Sequence, residues 1–205
     1  MKSVILLMLL SSLAAGAVVC AADPPPLTVK TPAVEAQEPA KKEEEAVLVG
    51  PATREKIEGA AAEWVQAEVE AHPDADAAQA LASVAPGAEV TIFLGTWCGD
   101  SRREVPRFWH ALDEVGGAVP FKVTYVTVDR EKKEPAEAVS ANGIRYLPTF
   151  IVRRDGREVG RIVETAPHGI EHDLLALLTG KAAGVIATRQ DLTPPGGAKP
   201  QAQHP

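Results

Sequence analysis

Cysteine is almost absent from this chain. Cys20 and Cys98 are the only two in 205 residues, and Cys20 lies in a leader-like segment that processing would discard. One remaining thiol excludes an intramolecular disulfide, so the fold has to rest on its apolar core. Long apolar runs are also missing after residue 22, which leaves no stretch able to cross a bilayer and no transmembrane domain in the mature protein. Excess basic charge is missing too. Residues 23–90 carry 5 Lys+Arg against 14 Asp+Glu, a net of −9, whereas residues 91–189 carry 14 against 13, a net of +1. The acidity belongs to the leading region, and such a flank argues against nucleic acid or an anionic membrane surface as a partner. No internal repeat is present.

What the sequence does have begins with Lys2 and the run "VILLMLLSSLAAGAVV", a charged start, an apolar core and a small-residue exit. This is the shape of a secretory signal over residues 1–22, with cleavage after "CAA". The competing reading makes Cys20 the acylated residue of a lipoprotein anchor, although Val19 stands where a smaller residue is preferred. Either way the remainder is expected outside the cytoplasm, periplasmic or secreted. Residues 23–46 are rich in Pro, Glu, Lys and Ala and read as a disordered acidic tether.

Four further parts follow from periodicity and punctuation. Residues 47–87 read as an N-terminal helical extension. One helix is expected over 53–71, capped by Thr53 with Ile57, Ala61, Trp64 and Ala71 near one face, and stopped by Pro73. A second is expected from Asp74 to Val84, closed by Pro86-Gly87. Residues 88–180 then alternate as strand "EVTIFLG", helix "CGDSRREVPRFWHALDEVGG", strand "PFKVTYVTVD", short helix "PAEAVSANG", hairpin around Arg154-Asp155-Gly156, and helix "GIEHDLLALLTG". The long helix carries the stripe Val105, Phe108, Trp109, Leu112 and Val115, contains Pro106 as an expected kink, and ends at Gly116-Gly117. The order implies an α/β fold, a mixed sheet with helices on both faces. Residues 181–205 read as a flexible tail.

Cys98 falls where a buried strand gives way to a helix. Its sulfur would meet the unsatisfied N–H groups and the positive end of the helix dipole, a position that favours thiolate over thiol. Arg102 and Arg103 act in the same direction and Asp100 against it. A lone cysteine is otherwise a small buried hydrophobe. Trp97 and the glycines around it point instead to an exposed turn and a reactive sulfur.

Trp97-Cys98-Gly99-Asp100-Ser101, followed by Pro106 and then by Tyr146-Leu147-Pro148-Thr149, resembles the thioredoxin superfamily across residues 88–180. The resemblance implies the thioredoxin-like three-layer fold. It also implies that Cys98 is the nucleophilic thiol and that Pro148 is a cis-proline beside it. On the same basis Pro148 and Thr149 position the backbone of an extended peptide, and Trp97 shields one side. Three departures bear on mechanism. Ser101 replaces the resolving cysteine, Asp100 the usual proline, and Ile92 an acid that the family often buries in this strand. Without a resolving thiol, a mixed disulfide at Cys98 cannot be released from within. An external thiol, glutathione or a partner protein, would have to resolve it. Ser101 has two readings: its hydroxyl donates to the Cys98 sulfur, or it satisfies the helix terminus.

Other candidates are weaker. "HGIEH", residues 168–172, matches a zinc-peptidase pattern, but it sits at the start of the last helix with no further acidic ligand in helical context, so no metal and no cofactor are expected. His168 is at most a helper base, if the segment from Glu164 lies near the thiol. His72 and His110 read as surface or packing residues, and Trp64 and Trp109 as core. The expectation is therefore a monothiol C-x-x-S protein acting on cysteine-containing protein or peptide clients through Cys98 and Ser101. The alternatives are a non-catalytic, chaperone-like peptide-binding module and a structural domain.

Overall fold

The computed structural model describes residues 47–192. The expected signal peptide, the tether and residues 193–205 lie outside the described residues.

The described chain opens with a strand, β1 (Gly50–Ala52), where only helix is expected. Three residues that include Pro51 carry no readable alternation, and proline without an N–H suits an edge strand. The single helix expected over 53–71 is two, α1 (Arg54–Glu58) and α2 (Ala62–Val69). Thr53 does cap the first, its Oγ1 accepting the Lys56 N–H at 3.4 Å. The break falls at Gly59-Ala60-Ala61, where glycine costs the most helix propensity short of proline. Breaking there brings both Ile57 and Trp64 into full burial. α3 (Ala75–Leu81) follows, capped by Asp74, whose Oδ1 accepts the Ala77 N–H at 2.8 Å.

β2 (Ala88–Leu94) leads into α4 (Gly99–Glu114), which runs on through Pro106. Its end is a Schellman arrangement. Gly116 and Gly117 have φ of +77° and +73°, and the Gly117 N–H donates to the Leu112 carbonyl at 2.8 Å. β3 (Phe121–Thr127) and α5 (Ala136–Ala141) come next. β4 (Thr149–Arg154) and β5 (Arg157–Val163) form the expected hairpin. Its two central residues, Asp155 and Gly156, both have positive φ, as a tight two-residue turn requires. α6 (Ile170–Leu178) is followed by β6 (Gly184–Ala187).

β6 corrects the expected tail, because residues 184–187 pair in parallel with β5. Four residues are too few to show a period. The device that admits the strand is Gly160. A Cβ there would stand 2.5 Å from Leu177 Cδ2 and 2.6 Å from the Gly184 carbonyl oxygen.

The six strands form one mixed sheet in the order β1-β3-β2-β4-β5-β6, with β2–β3 and β5–β6 parallel and the other pairs antiparallel. Alternation along β2 sends Val90, Ile92 and Leu94 to one face, where Trp64, Leu81, Phe108, Trp109 and Leu174 cover them from α2, α3, α4 and α6. Phe93 points to the other face and packs with Val126, Val128, Val139, Ile144, Leu147 and Ile151 under α5. Helix, sheet and helix make the expected three layers. Trp64 and Trp109 are core, with ring centroids 5.7 Å apart, and Trp109 Nε1 donates to the Tyr125 hydroxyl at 2.9 Å. Burial pushes the Tyr125 phenol up to about 12.

Candidate functional site

Cys98 is the N-cap residue of α4, in extended conformation at the exit of β2. Its carbonyl accepts the Arg102 N–H at 3.0 Å and its own N–H donates to the Gly95 carbonyl at 3.0 Å, so both ends of the turn are fixed. The thiol is free and half-buried. Sγ lies 3.6 Å from the Leu147 carbonyl oxygen, and the Leu147-Pro148 bond is cis. Two segments 49 residues apart in sequence thus meet at the sulfur. Phe93, Val126 and Leu147 belong to the apolar cluster against which Cys98 and Trp97 pack.

Trp97 is held at the rim. Its Nε1 donates to the Val128 carbonyl at 3.0 Å, and the Arg130 guanidinium lies 5.6 Å from its ring. Gly95 makes room for it, since a Cβ at that position would come within 2.8 Å of the indole. Thr149 is buried and turned inward, its Oγ1 donating to the Tyr146 carbonyl at 2.7 Å. It braces the loop that carries Pro148. Leu147 N–H has no partner among the described residues, and its carbonyl meets only the Cys98 sulfur. One unengaged donor and one weakly engaged acceptor therefore stand side by side next to the thiol.

Ser101 is fully buried in the first turn of α4, where its Oγ accepts the Gly95 N–H at 3.2 Å. The hydroxyl therefore ties the helix to the exit of β2 and still carries a proton to donate. Ile92, in the strand position noted for an acid, is fully buried among apolar neighbours.

Of the two arginines expected to act on the sulfur, Arg103 is engaged by other side chains. Arg103 bonds Asp100 at 2.7 Å, Glu104 at 3.0 Å and Thr165 Oγ1 at 2.8 Å. Burial raises the Glu104 carboxyl above its ordinary range against the pull of Arg103. One turn further, Arg107 grips the fully buried Glu171 with two bonds of 2.6 and 3.0 Å, and Glu171 also accepts the Asp74 N–H at 2.9 Å. Burial works against the Glu171 anion, but Arg107 and the amide outweigh it and hold its carboxyl below the usual range.

The "HGIEH" string disperses. His168 Nδ1 meets Asp173 at 2.9 Å, Glu171 meets Arg107, and His172 faces Asp74 at 3.9 Å. Among the described residues, no three His, Cys, Asp or Glu side chains come together in a way that could hold a metal. The segment's start does reach the site, because the Glu164 N–H donates to the Pro148 carbonyl at 2.8 Å. His110 Nδ1 lies 2.8 Å from the Glu68 carbonyl, a packing role. Among the described residues no helix is long and apolar enough to cross a membrane. Sequence reasoning missed the roles of Leu147 and Gly95, which contribute mainly backbone groups. It also missed Arg189 and Asp191, which bond each other and reach Tyr146.

Comparison with known proteins places the chain in a family. The chain is 30% identical over 112 residues to a thioredoxin H-type of Oryza sativa, covering 55% of this chain and 86% of that protein. It is 30% identical over 81 residues to a thioredoxin of Listeria monocytogenes, covering 40% of this chain and 73% of that one. Among solved structures, the thioredoxin of Fasciola hepatica is 27% identical, with 47% of this chain and 84% of that chain covered at a TM-score of 0.33. The family model described as Thioredoxin matches residues 69–176, more than half of the chain. With that match spanning the Cys98 turn and the cis-proline loop opposite it, the chain belongs to the thioredoxin family.

Proposed function

We propose that this protein exchanges thiols and disulfides with cysteine-containing clients through Cys98 alone, and that it does so outside the cytoplasm. A thioredoxin domain supports thiol chemistry in general. The observation that carries the narrower reading is the pairing of Cys98 with Leu147-Pro148, while the last position of W-C-G-D-S is a buried serine, Ser101, bonded to Gly95.

The steps balance without a cofactor. The Cys98 thiolate attacks one sulfur of a client disulfide R–S–S–R′. A Cys98–S–S–R bond forms, the S–S bond of the client breaks, and R′S⁻ leaves and takes a proton from solvent. In a C-x-x-C protein the second thiol would then expel the client. Ser101 cannot form an S–S bond, so an external thiolate R″S⁻ attacks the client sulfur, giving R–S–S–R″ and restoring the Cys98 thiolate. The α4 terminus, whose first-turn N–H groups lack helical acceptors, stabilises the departing thiolate, and the Ser101 proton assists. Leu147 N–H and C=O receive an extended client backbone as a short added strand, with Trp97 closing the rim.

The leader at 1–22 supports export, and the polar run at 23–46 supports a spacer between the domain and either a cleavage site or a lipid on Cys20.

Glutathione-dependent turnover of a disulfide-bonded peptide is the test. The proposal expects turnover that requires both the peptide and glutathione and is abolished in Cys98→Ala. A Cys98→Ala protein that still retains the reduced peptide, together with a wild type that never turns over, would instead make this a peptide-holding module.

A further inference from the structure

The segment after β6 reaches back to the thiol site. The Arg189 guanidinium lies 4.2 Å from the Tyr146 ring centroid, and the Tyr146 hydroxyl donates to Asp191 Oδ2 at 3.1 Å. Arg189 pairs with Asp191 at 3.0 Å and with Glu164 at 3.3 Å. Two of its partners, Tyr146 and Glu164, frame the cis-peptide bond. Tyr146 directly precedes Leu147, and its carbonyl is the one that Thr149 bonds. Glu164 donates its N–H to the Pro148 carbonyl and has φ of +62°, a left-handed conformation uncommon outside glycine. Such a residue needs its surroundings to hold it. A cavity of about 230 Å³ lined by Arg145, Tyr146, Thr149, Asp191 and Leu192 lies against the same loop.

Arg189 and Asp191 lie beyond residue 176, where the match to the family ends. The clasp is thus supplied by a part of this chain outside the matched domain, and it acts on the loop that faces Cys98. We propose that Arg189 and Asp191 are positioning residues that fix Tyr146 and Glu164, and through them the Leu147-Pro148 backbone, for client binding. This deepens, and rests on, the reading of Cys98 as a thiol that reacts with peptides.

The experiment compares two disulfide substrates in the full mature protein: a disulfide-bonded peptide, which uses the Leu147 backbone, and a small aromatic disulfide, which does not. Arg189→Gln and Asp191→Asn should raise the half-saturating peptide concentration roughly three- to tenfold, the scale of losing a cation–π contact and a hydrogen bond. Their rate with the small disulfide should stay at the wild-type value. Arg189→Lys, which keeps the charge for Glu164 and Asp191 but not the planar stacking, should fall between. Equal values for wild type and Arg189→Gln on the peptide would overturn the proposal, as would an equal loss on both substrates, which would mean the clasp merely supports the fold. A second readout needs no thiol chemistry. Amide exchange at Glu164 should accelerate about tenfold in Arg189→Gln while β2 is unaffected, and unchanged exchange would sink the idea. A wild type inert towards both disulfides would contradict the reading of Cys98, and the Glu164 exchange would still decide whether the clasp holds the loop.

Discussion

The two faces of the sheet are unequal. Under α2, α3, α4 and α6, twenty-one buried apolar residues form a single cluster, whereas under α5 only seven do, and it is this thin cluster that touches Trp97 and Cys98. The thick face supplies most of the burial and fixes α4 along its length. The thin face leaves the first turn of that helix within reach of solvent. A sulfur that has to meet a client cannot lie under a full layer, so stability and chemistry are divided between the faces. Substitutions on the thick face should therefore cost stability and leave the chemistry of the folded fraction intact, and substitutions around the thin face should do the reverse.

The largest expected effect is on the thick face. Trp109→Ala removes a fully buried indole with its Trp64 and Tyr125 contacts and should cost about 3–5 kcal/mol in denaturant unfolding. Cys98 reactivity per folded molecule should not change.

Next comes the pair behind α4. Arg107→Met leaves Glu171 buried without its cation and should cost roughly 2–4 kcal/mol near neutral pH, somewhat under the full buried-pair value because Arg107 is partly exposed. The pH profile separates this from a packing loss. Glu171 has its folded pKa held below its unfolded value, so the unfolded state binds more protons. Its contribution is present above the ordinary carboxylate range of about pH 4–4.5 and is lost as pH falls through the lower folded value. Without Arg107, burial raises that carboxyl instead, and the contribution of this group to the slope of stability against pH should reverse sign. An unchanged slope in a melting series from acid to neutral pH would contradict the assignment.

Around the thin face the costs shrink and the chemistry changes. Ser101→Ala strands the buried Gly95 N–H and should cost about 1–3 kcal/mol in denaturant unfolding. It should also slow mixed-disulfide formation by removing the hydroxyl proton that assists the sulfur, and an unchanged rate would leave Ser101 only its bond to Gly95. Smallest of all, Arg130→Ala loses a contact over Trp97 worth about 0.5–1 kcal/mol. A stability change above that range would mean that the rim is part of the core.

The sequence made the central motif legible for physical reasons. A continuous apolar run such as "EVTIFLG" has few other places to go than the middle of a sheet, and two glycines in succession end α4 where the pattern requires. The approach of Cys98 to the Leu147-Pro148 bond is legible only through resemblance, since nothing local joins Cys98 to Leu147, 49 residues away. β1 and β6 were not legible, because three or four residues carry no period and their partners, Gly50 with Thr127 and Gly160 with Gly184, are distant in sequence. The split between α1 and α2 had a visible cue in Gly59, but the apolar spacing on either side concealed it. Sequence proximity sets Arg103 beside the sulfur and does not reveal Thr165, 62 residues away, as a competing partner. Arg189 and Asp191 fall in a stretch that the sequence predicts to be a tail, and only the strand before them carries them to Tyr146.

The most direct test of the single-thiol account is the lifetime of the mixed disulfide, followed by intact mass after mixing the mature protein with a peptide whose single cysteine is activated as a thiopyridyl disulfide, so that the leaving group is too weak a nucleophile to attack back, beside Ser101→Cys. The account predicts a one-to-one adduct at Cys98 that persists in the wild type until glutathione is added, and that collapses unaided in Ser101→Cys as the new thiol expels the peptide. A wild-type adduct that never forms, or one that disappears without added thiol, would contradict it.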